Sequence, residues 1–220
     1  MIDKRCPPER ALEGIDHGAT VMVGGFGNAG EPVELLELLL ERGVEDLVVI
    51  ANNGGSGDFG LARLLAHHRV RKLVCSYPRT PGSTVVQELY ARGEIELEVV
   101  PQGTLAERIR AAGAGIGGFY TPTGAGSELT EGREHRMLDG RLQVLELPLH
   151  ADVALVKADR ADRWGNLDYH LSARNFNPIM AAAARLTIAQ VRQVVPLGGL
   201  APEQVVTPSV YVDRVVEMGG

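Results

Sequence analysis

Cysteine is nearly missing: Cys6 and Cys75 are the only two in 220 residues, one in the N-terminal segment and the other inside a hydrophobic run. That excludes a disulfide framework and suggests no zinc site or other metal centre, and a reducing cytoplasm fits. No run of 18 apolar residues occurs, and the charged start Ile2-Asp3-Lys4-Arg5 is followed by no apolar stretch, so neither a membrane span nor a signal peptide is read. An excess of basic charge is also lacking. The 22 Lys and Arg against 28 Asp and Glu give a net charge of −6, which speaks against a phosphate-backbone surface and so against nucleic acid as a partner. Aromatics reach only 5%, while 45% hydrophobic and 23% charged residues are ordinary for a globular chain. The length accommodates one domain over 1–220.

What is present is alternation. Short β-branched runs at Thr20–Val23, Asp46–Ala51, Lys72–Ser76, Ile95–Val99, Val144–Glu146 and Val153–Lys157 are separated by helical patterns. This predicts an α/β fold with a mainly parallel sheet flanked by helices. Helices are expected at Val33–Leu40, with Pro32 in the first turn, and at Gly60–His67, Val85–Ala91, Leu105–Ala112 and Asn177–Ala184. Gly113–Gly132 is glycine-rich without a clear period and reads as a long irregular segment, which in a compact domain is more often functional than idle.

Between the first strand and helix, Gly25, Gly27 and Gly30 stand in G-x-G-x-x-G spacing. Such glycines let backbone approach a ligand, and the following helix can offer free N–H groups to negative charge. Dinucleotide binding also needs an acid closing the second strand, and here that strand runs into Asn52-Asn53. The loop alone therefore leaves three readings open: a turn without ligand, a site for another anionic or thioester ligand, and a nicotinamide-type oxidoreductase. The histidines carry no triad or metal spacing; His67 and His68 close a helix, where a basic group complements the dipole. Trp164 reads as core or interface.

Five ordered blocks resolve the choice. They are Asp16-His-Gly-Ala-Thr-Val-Met-Val-Gly-Gly-Phe-Gly-Asn-Ala-Gly-Glu-Pro32, Asn52-Asn-Gly-Gly-Ser-Gly-Asp-Phe-Gly60, Pro101-Gln-Gly-Thr-Leu-Ala-Glu-Arg, Phe119-Tyr-Thr-Pro-Thr-Gly124, and Asp162-Arg-Trp-Gly-Asn-Leu167 followed by Ala173-Arg-Asn-Phe-Asn177. Together they resemble the A half of the family I coenzyme A transferases across nearly the whole chain. Within that family the chain is most similar to A halves that act on 3-oxoadipate, one motive being Cys75-Ser-Tyr-Pro-Arg-Thr80; the acetoacetate-using enzymes are the alternative. Ala125 departs from the Tyr often found there.

The resemblance implies that coenzyme A moves from succinyl-CoA to a 3-oxoacid by a ping-pong route through an acyl anhydride and a glutamyl-CoA thioester. Coenzyme A is then a substrate carrier and no further cofactor is expected. The nucleophilic glutamate belongs to the B half, a separate CoA-transferase chain that is the expected partner, in an A2B2 hetero-oligomer. In this half Gln102 is expected to donate to the developing oxyanion, with capping of a helix near Leu105 as the competing role. Gly24, Gly25, Phe26, Gly27 and Gly30 are expected to shape the acyl pocket, with the helix after Gly30 offering N–H groups. Asn52 and Asn53 stand at a strand's carboxyl end, and Asn53 either orients a carboxylate or makes an Asx turn. Arg79 is expected to pair with the second carboxylate of a dicarboxylic acceptor, or to lie on the surface. Arg160, Arg163 and Arg174 are candidates for coenzyme A phosphates. Glu31, Glu88, Glu107 and Glu128 lack the nucleophile's context and read as solvated acids.

Overall fold

The computed structural model describes residues 2–218. In chain order the elements are α1 (Pro8–Ala11), β1 (Thr20–Val23), α2 (Val33–Glu41), β2 (Leu47–Ala51), α3 (Gly60–Ala66), β3 (Val70–Cys75), α4 (Val85–Ala91), β4 (Glu96–Val99), α5 (Gln102–Gly113), β5 (Phe119–Thr121), β6 (His135–Leu138), β7 (Arg141–Glu146), β8 (Ala151–Asp162), β9 (Leu167–Asp168), α6 (Asn177–Ala183), β10 (Ala184–Val195) and β11 (Arg214–Glu217). The main sheet runs β11-β10-β8-β1-β2-β3-β4, parallel throughout, with β9 antiparallel on β8.

The period-2 rule of a strand explains the layers. Val21 and Val23, Val49 and Ala51, Leu73 and Cys75, and Val153 and Leu155 point to one face, where Leu35, Leu36 and Leu39 of α2, Leu61, Leu64 and Leu65 of α3 and Val86 and Leu89 of α4 meet them. The residues between, Met22, Ile50, Val74, Ala154 and Val156, point to the other face and meet Leu105 and Ile109 of α5 and Met180 and Ala181 of α6. Both faces are thus covered, which is why these strands read as continuous hydrophobic runs.

The chain lays β1 to β4 outward to one edge, then returns to place β8 on the other side of β1. The carboxyl ends of β1 and its neighbours therefore border a topological switch point, the usual location of a ligand crevice in open α/β sheets.

Three features differ from the sequence reading. First, β10 and β11 go beyond the strands expected from pattern. In β10 the run Thr187–Val191 is buried throughout although it includes Thr187 and Gln190. Their polar groups are satisfied internally: Thr187 Oγ1 donates to Ala181 O at 2.9 Å, and the Leu35 N–H donates to Gln190 Oε1 at 3.3 Å. Second, α5 begins at Gln102 rather than near Leu105. Third, the glycine-rich stretch is only partly irregular. Its β5 joins β7 and β6 in a small antiparallel sheet.

An ion network binds that sheet to the body. Lys72 Nζ lies 3.0 Å from Glu98, Arg108 of α5 lies 3.1 Å from Glu98 and 3.5 Å from Glu146, and Arg133 lies 2.6 Å from Glu146. Burial opposes ionisation of Glu98, yet Lys72 and Arg108 outweigh it and hold its carboxyl below the ordinary range. Truncating the fully buried Leu73 in β3, which lies between β2 and β4, is expected to cost about 2–5 kcal/mol. Urea unfolding of Leu73→Ala should show a lower midpoint with an unchanged slope.

Candidate active site

A cavity of about 380 Å³ opens at the carboxyl ends of β1 to β4. Each strand delivers part of its wall: Phe26 and Gly27 after β1, Asn52, Asn53 and Ser56 after β2, Ser76, Tyr77, Thr80 and Pro81 after β3, and Gln102 at the start of α5 after β4. Residues from three separate sequence blocks thus converge on one hollow. Among the residues lining it there is no carboxylate, lysine, cysteine or histidine.

The loop after β1 is a miniature hairpin. Phe26 and Ala29 exchange backbone hydrogen bonds, N–H of Phe26 to O of Ala29 at 3.0 Å and the reverse at 3.2 Å, around Gly27 and Asn28. Gly27 adopts φ +59°, a left-handed conformation that suits a residue without Cβ. The turn carries Phe26 outward, 49% exposed at the cavity mouth.

Phe26 and Gly27 line this cavity, whereas Gly24, Gly25 and Gly30 do not. Gly24 and Gly25 are buried under the loop, and Gly30 faces a second, smaller cavity beside Lys157 and His170. The helix after Gly30 has several of its first N–H groups taken. Pro32 has none, Val33 donates to Glu31 O at 3.0 Å, and Leu35 donates to Gln190. The glycine spacing thus serves a closed turn instead of an open phosphate cradle, which removes the basis for the dinucleotide reading.

Asn52 and Asn53 are both buried at the cavity wall. Ser76 Oγ donates to Asn52 Oδ1 at 2.8 Å, which ties the loops after β2 and β3 together and occupies the serine hydroxyl. Asn53 Oδ1 accepts the Gly55 N–H at 2.9 Å, an Asx turn, leaving its amide nitrogen as the group available to a ligand. Gln102 is exposed at the first position of α5, and its side chain makes no capping bond, so the capping role is not the one observed.

Arg79 sits on the loop between Tyr77 and Thr80, exposed, outside the cavity lining and without an ion pair among the described residues. The hydroxyls and aromatics of the loop after β3 were not singled out from the sequence; their place beyond a strand's carboxyl end was the available signal.

Glu31 overturns its reading as a solvated acid. It is 4% exposed, and its Oε1 accepts the Leu61 N–H at 3.0 Å while Oε2 has no partner among the described residues. Glu37 Oε1 accepts the Gly60 N–H at 3.2 Å, so one acid just before α2 and one within it cap α3, whose own N-cap residue Phe59 supplies no side-chain bond. Burial pushes the Glu31 carboxyl up, against the opposing Leu61 N–H and the more distant Lys157. Glu88, Glu107 and Glu128 are exposed, as read.

Trp164 is 43% exposed and is not a core residue, because the turn holding it points outward: Asp162 Oδ1 accepts the Trp164 and Asn166 N–H groups. Arg160 is engaged by Asp168. The Cys75 thiol is pushed up to about 12 by burial and stays protonated, which removes it as a nucleophile.

A family model described as Coenzyme A transferase matches residues 7–218. The A chain of the 3-oxoadipate CoA-transferase of Pseudomonas putida is 60% identical over 210 residues, covering 96% of this chain and 91% of that protein. The mitochondrial succinyl-CoA:3-ketoacid coenzyme A transferase 2A of Mus musculus is 45% identical over 96% of this chain but only 44% of its own length. The crystal structure of glutaconate coenzyme A-transferase from Acidaminococcus fermentans superposes with a TM-score of 0.87 at 19% identity, covering 98% of this chain and 76% of that one, a likeness of fold.

The raised Glu31 carboxyl yields a signed prediction. The folded state binds its proton more tightly than the unfolded chain, so stability is lost as pH rises from about 4.5 towards the higher folded value. Glu31→Gln should match the wild type in melting temperature at acid pH and exceed it increasingly towards neutrality; a difference independent of pH would contradict the assignment.

The blocks along the sequence, the sheet they build and the match over residues 7–218 agree: this chain belongs to the coenzyme A transferase family.

Proposed function

We propose that this chain is the A half of a two-chain transferase that moves coenzyme A from succinyl-CoA to a 3-oxoacid, with 3-oxoadipate as the acceptor. The observation that carries the reading is a cavity with amide donors and no carboxylate lining it. In the family's chemistry a glutamate attacks the donor thioester, giving an acyl anhydride and free coenzyme A thiolate. The thiolate then attacks the glutamyl carbonyl, releasing the first acid and leaving a glutamyl-CoA thioester for the acceptor. This chain contributes the oxyanion donor and part of the acyl pocket, and the B half contributes the nucleophile.

The mouse relative supports that division, since more than half of its length lies outside the match to this chain. Phe26 and Tyr77, 49% and 59% exposed on the cavity rim, are apolar surface suited to burial by a second chain. The whole chain acts as one domain, in a cytoplasmic A2B2 assembly with coenzyme A as substrate carrier and no resident cofactor. Gln102 donates from its amide to the oxygen that gains charge as the thioester or anhydride is attacked, and Asn53 offers a second amide across the cavity. Arg79 reaches from the same rim for the distal carboxylate of 3-oxoadipate.

The isolated chain should show no transfer, and co-expression with the B half should restore succinyl-CoA-dependent transfer; a complex without it would overturn the reading. In that complex Gln102→Ala should lower kcat on the order of 100-fold with little change in melting temperature. Arg79→Ala should raise KM for 3-oxoadipate far more than for acetoacetate, and equal effects would remove Arg79 from specificity.

A further inference from the structure

The block Ala173-Arg-Asn-Phe-Asn177 has no role in the site as described, yet its two asparagines meet the glycine loop from behind. Asn177, fully buried, donates from Nδ2 to Gly30 O at 3.1 Å and to Ala173 O at 2.9 Å, while its Oδ1 accepts the Lys157 N–H of β8 at 2.9 Å. One amide thus joins the loop after β1, the turn before α6 and the neighbouring strand. Asn175 Nδ2 donates to Ala29 O at 2.8 Å, the same carbonyl that closes the hairpin with Phe26.

The fit leaves no room. A Cβ at Gly24 would stand 1.9 Å from Asn177 Oδ1, and one at Gly30 would stand 2.4 Å from Ala173 O and 2.8 Å from Asn177 Nδ2. Gly24 is therefore a glycine because Asn177 occupies the space a side chain would need, and Gly30 because the Ala173 carbonyl, with Asn177 beside it, stands there and its φ is +73°.

We propose that Asn177, aided by Asn175, is a positioning residue for the transfer reaction: it seats the base of the hairpin so that Phe26 and Gly27 are presented to the cavity. This rests on reading that cavity as the transfer site. The loop's own bonds close the hairpin on itself but do not orient it; Gly24 N–H to Leu155 O at 2.9 Å holds its entry, and the two asparagines hold its exit. Asparagine suits position 177 because one side chain must both donate and accept. Aspartate would keep the acceptor for Lys157 N–H and place a carboxylate oxygen against Gly30 O, while alanine would leave buried backbone groups without partners.

The test uses the complex with the B half. Asn177→Ala and Asn177→Asp should lower kcat/KM on the order of 100-fold, the scale of a loop displaced by about 1 Å. Amide exchange at Phe26 and Ala29 should quicken while exchange in β2 and β3 stays as in the wild type. Gly24→Ala should do the same in the wild-type background and add little to Asn177→Ala, because the atoms it collides with are then gone.

Unchanged loop exchange with unchanged kcat/KM per folded complex would overturn the proposal. So would a Gly24→Ala effect of equal size in both backgrounds. Should Asn177→Ala fail to assemble, Asn175→Ala removes the loop's bond at Ala29 O, together with local bonds to Ser172 O and from the Phe176 N–H, and should give faster Ala29 exchange and roughly a 10-fold fall in kcat/KM; wild-type values for both would be equally fatal. A wild-type complex without transfer overturns the functional reading alone, since exchange and the Gly24 cycle report on the loop without turnover.

Discussion

A single buried amide stands behind the geometry at the carboxyl end of the sheet. Asn177 ties β8 to the exit of the loop after β1 and to the turn before its own helix, and the backbone closes on it so tightly that Gly24 has no space for a Cβ. Burial of an amide is unfavourable unless its donor and acceptor are both used, and here both are. The same bonds that make this burial tolerable fix how the hairpin leaves the sheet. The cavity wall formed by Phe26 and Gly27 inherits its position from that contact.

Other buried polar groups follow a related logic on the opposite face. Buried Glu31, just before α2, and half-buried Glu37 within it reach the first N–H groups of α3, which its own flanking residue does not cap. The loop between Asn52 and Phe59 is thereby held at its start by β2 and at its end by acids anchored next to the glycine loop. Glu31 carries a cost of desolvation, visible in the upward push on its carboxyl. The network through Glu98, Arg108 and Glu146 does for α5 what the acids do for α3, so that Gln102 begins a helix braced against both sheets.

This bracing serves the cavity at the carboxyl ends of β1 to β4. Amide donors and an apolar rim converge at the ends of four strands, and the lining includes no group able to form a covalent acyl intermediate by carboxylate attack. Under the function proposed above, such a division makes the anhydride chemistry dependent on association with another chain. It also accounts for aromatic side chains left exposed around the mouth while the sheet itself is covered on both faces.

The fold class was legible because the strands between helices are buried on both sides, and a doubly buried parallel strand writes itself as a short β-branched run. The ends of β1 and α4 followed from local pattern, and the resemblance of the blocks implied Gln102, Asn52 and Phe26 as site residues, which here line one cavity. Strand β10 was not legible, since Thr187 and Gln190 look polar in a sequence and become core only through partners on α6 and α2. Glu31 misled for the same reason: whether an acid is solvated depends on what folds over it. By itself the sequence determined the family, through the resemblance of its ordered blocks, and the alternation of elements from β1 to α5, because these are written in local pattern. Only the tertiary structure decided what the glycines do: Gly27 turns a hairpin, whereas Gly24 makes room for Asn177 and Gly30 for the Ala173 carbonyl beside it, on a segment whose asparagine lies 147 residues beyond Gly30, a contact between distant segments that no local pattern encodes.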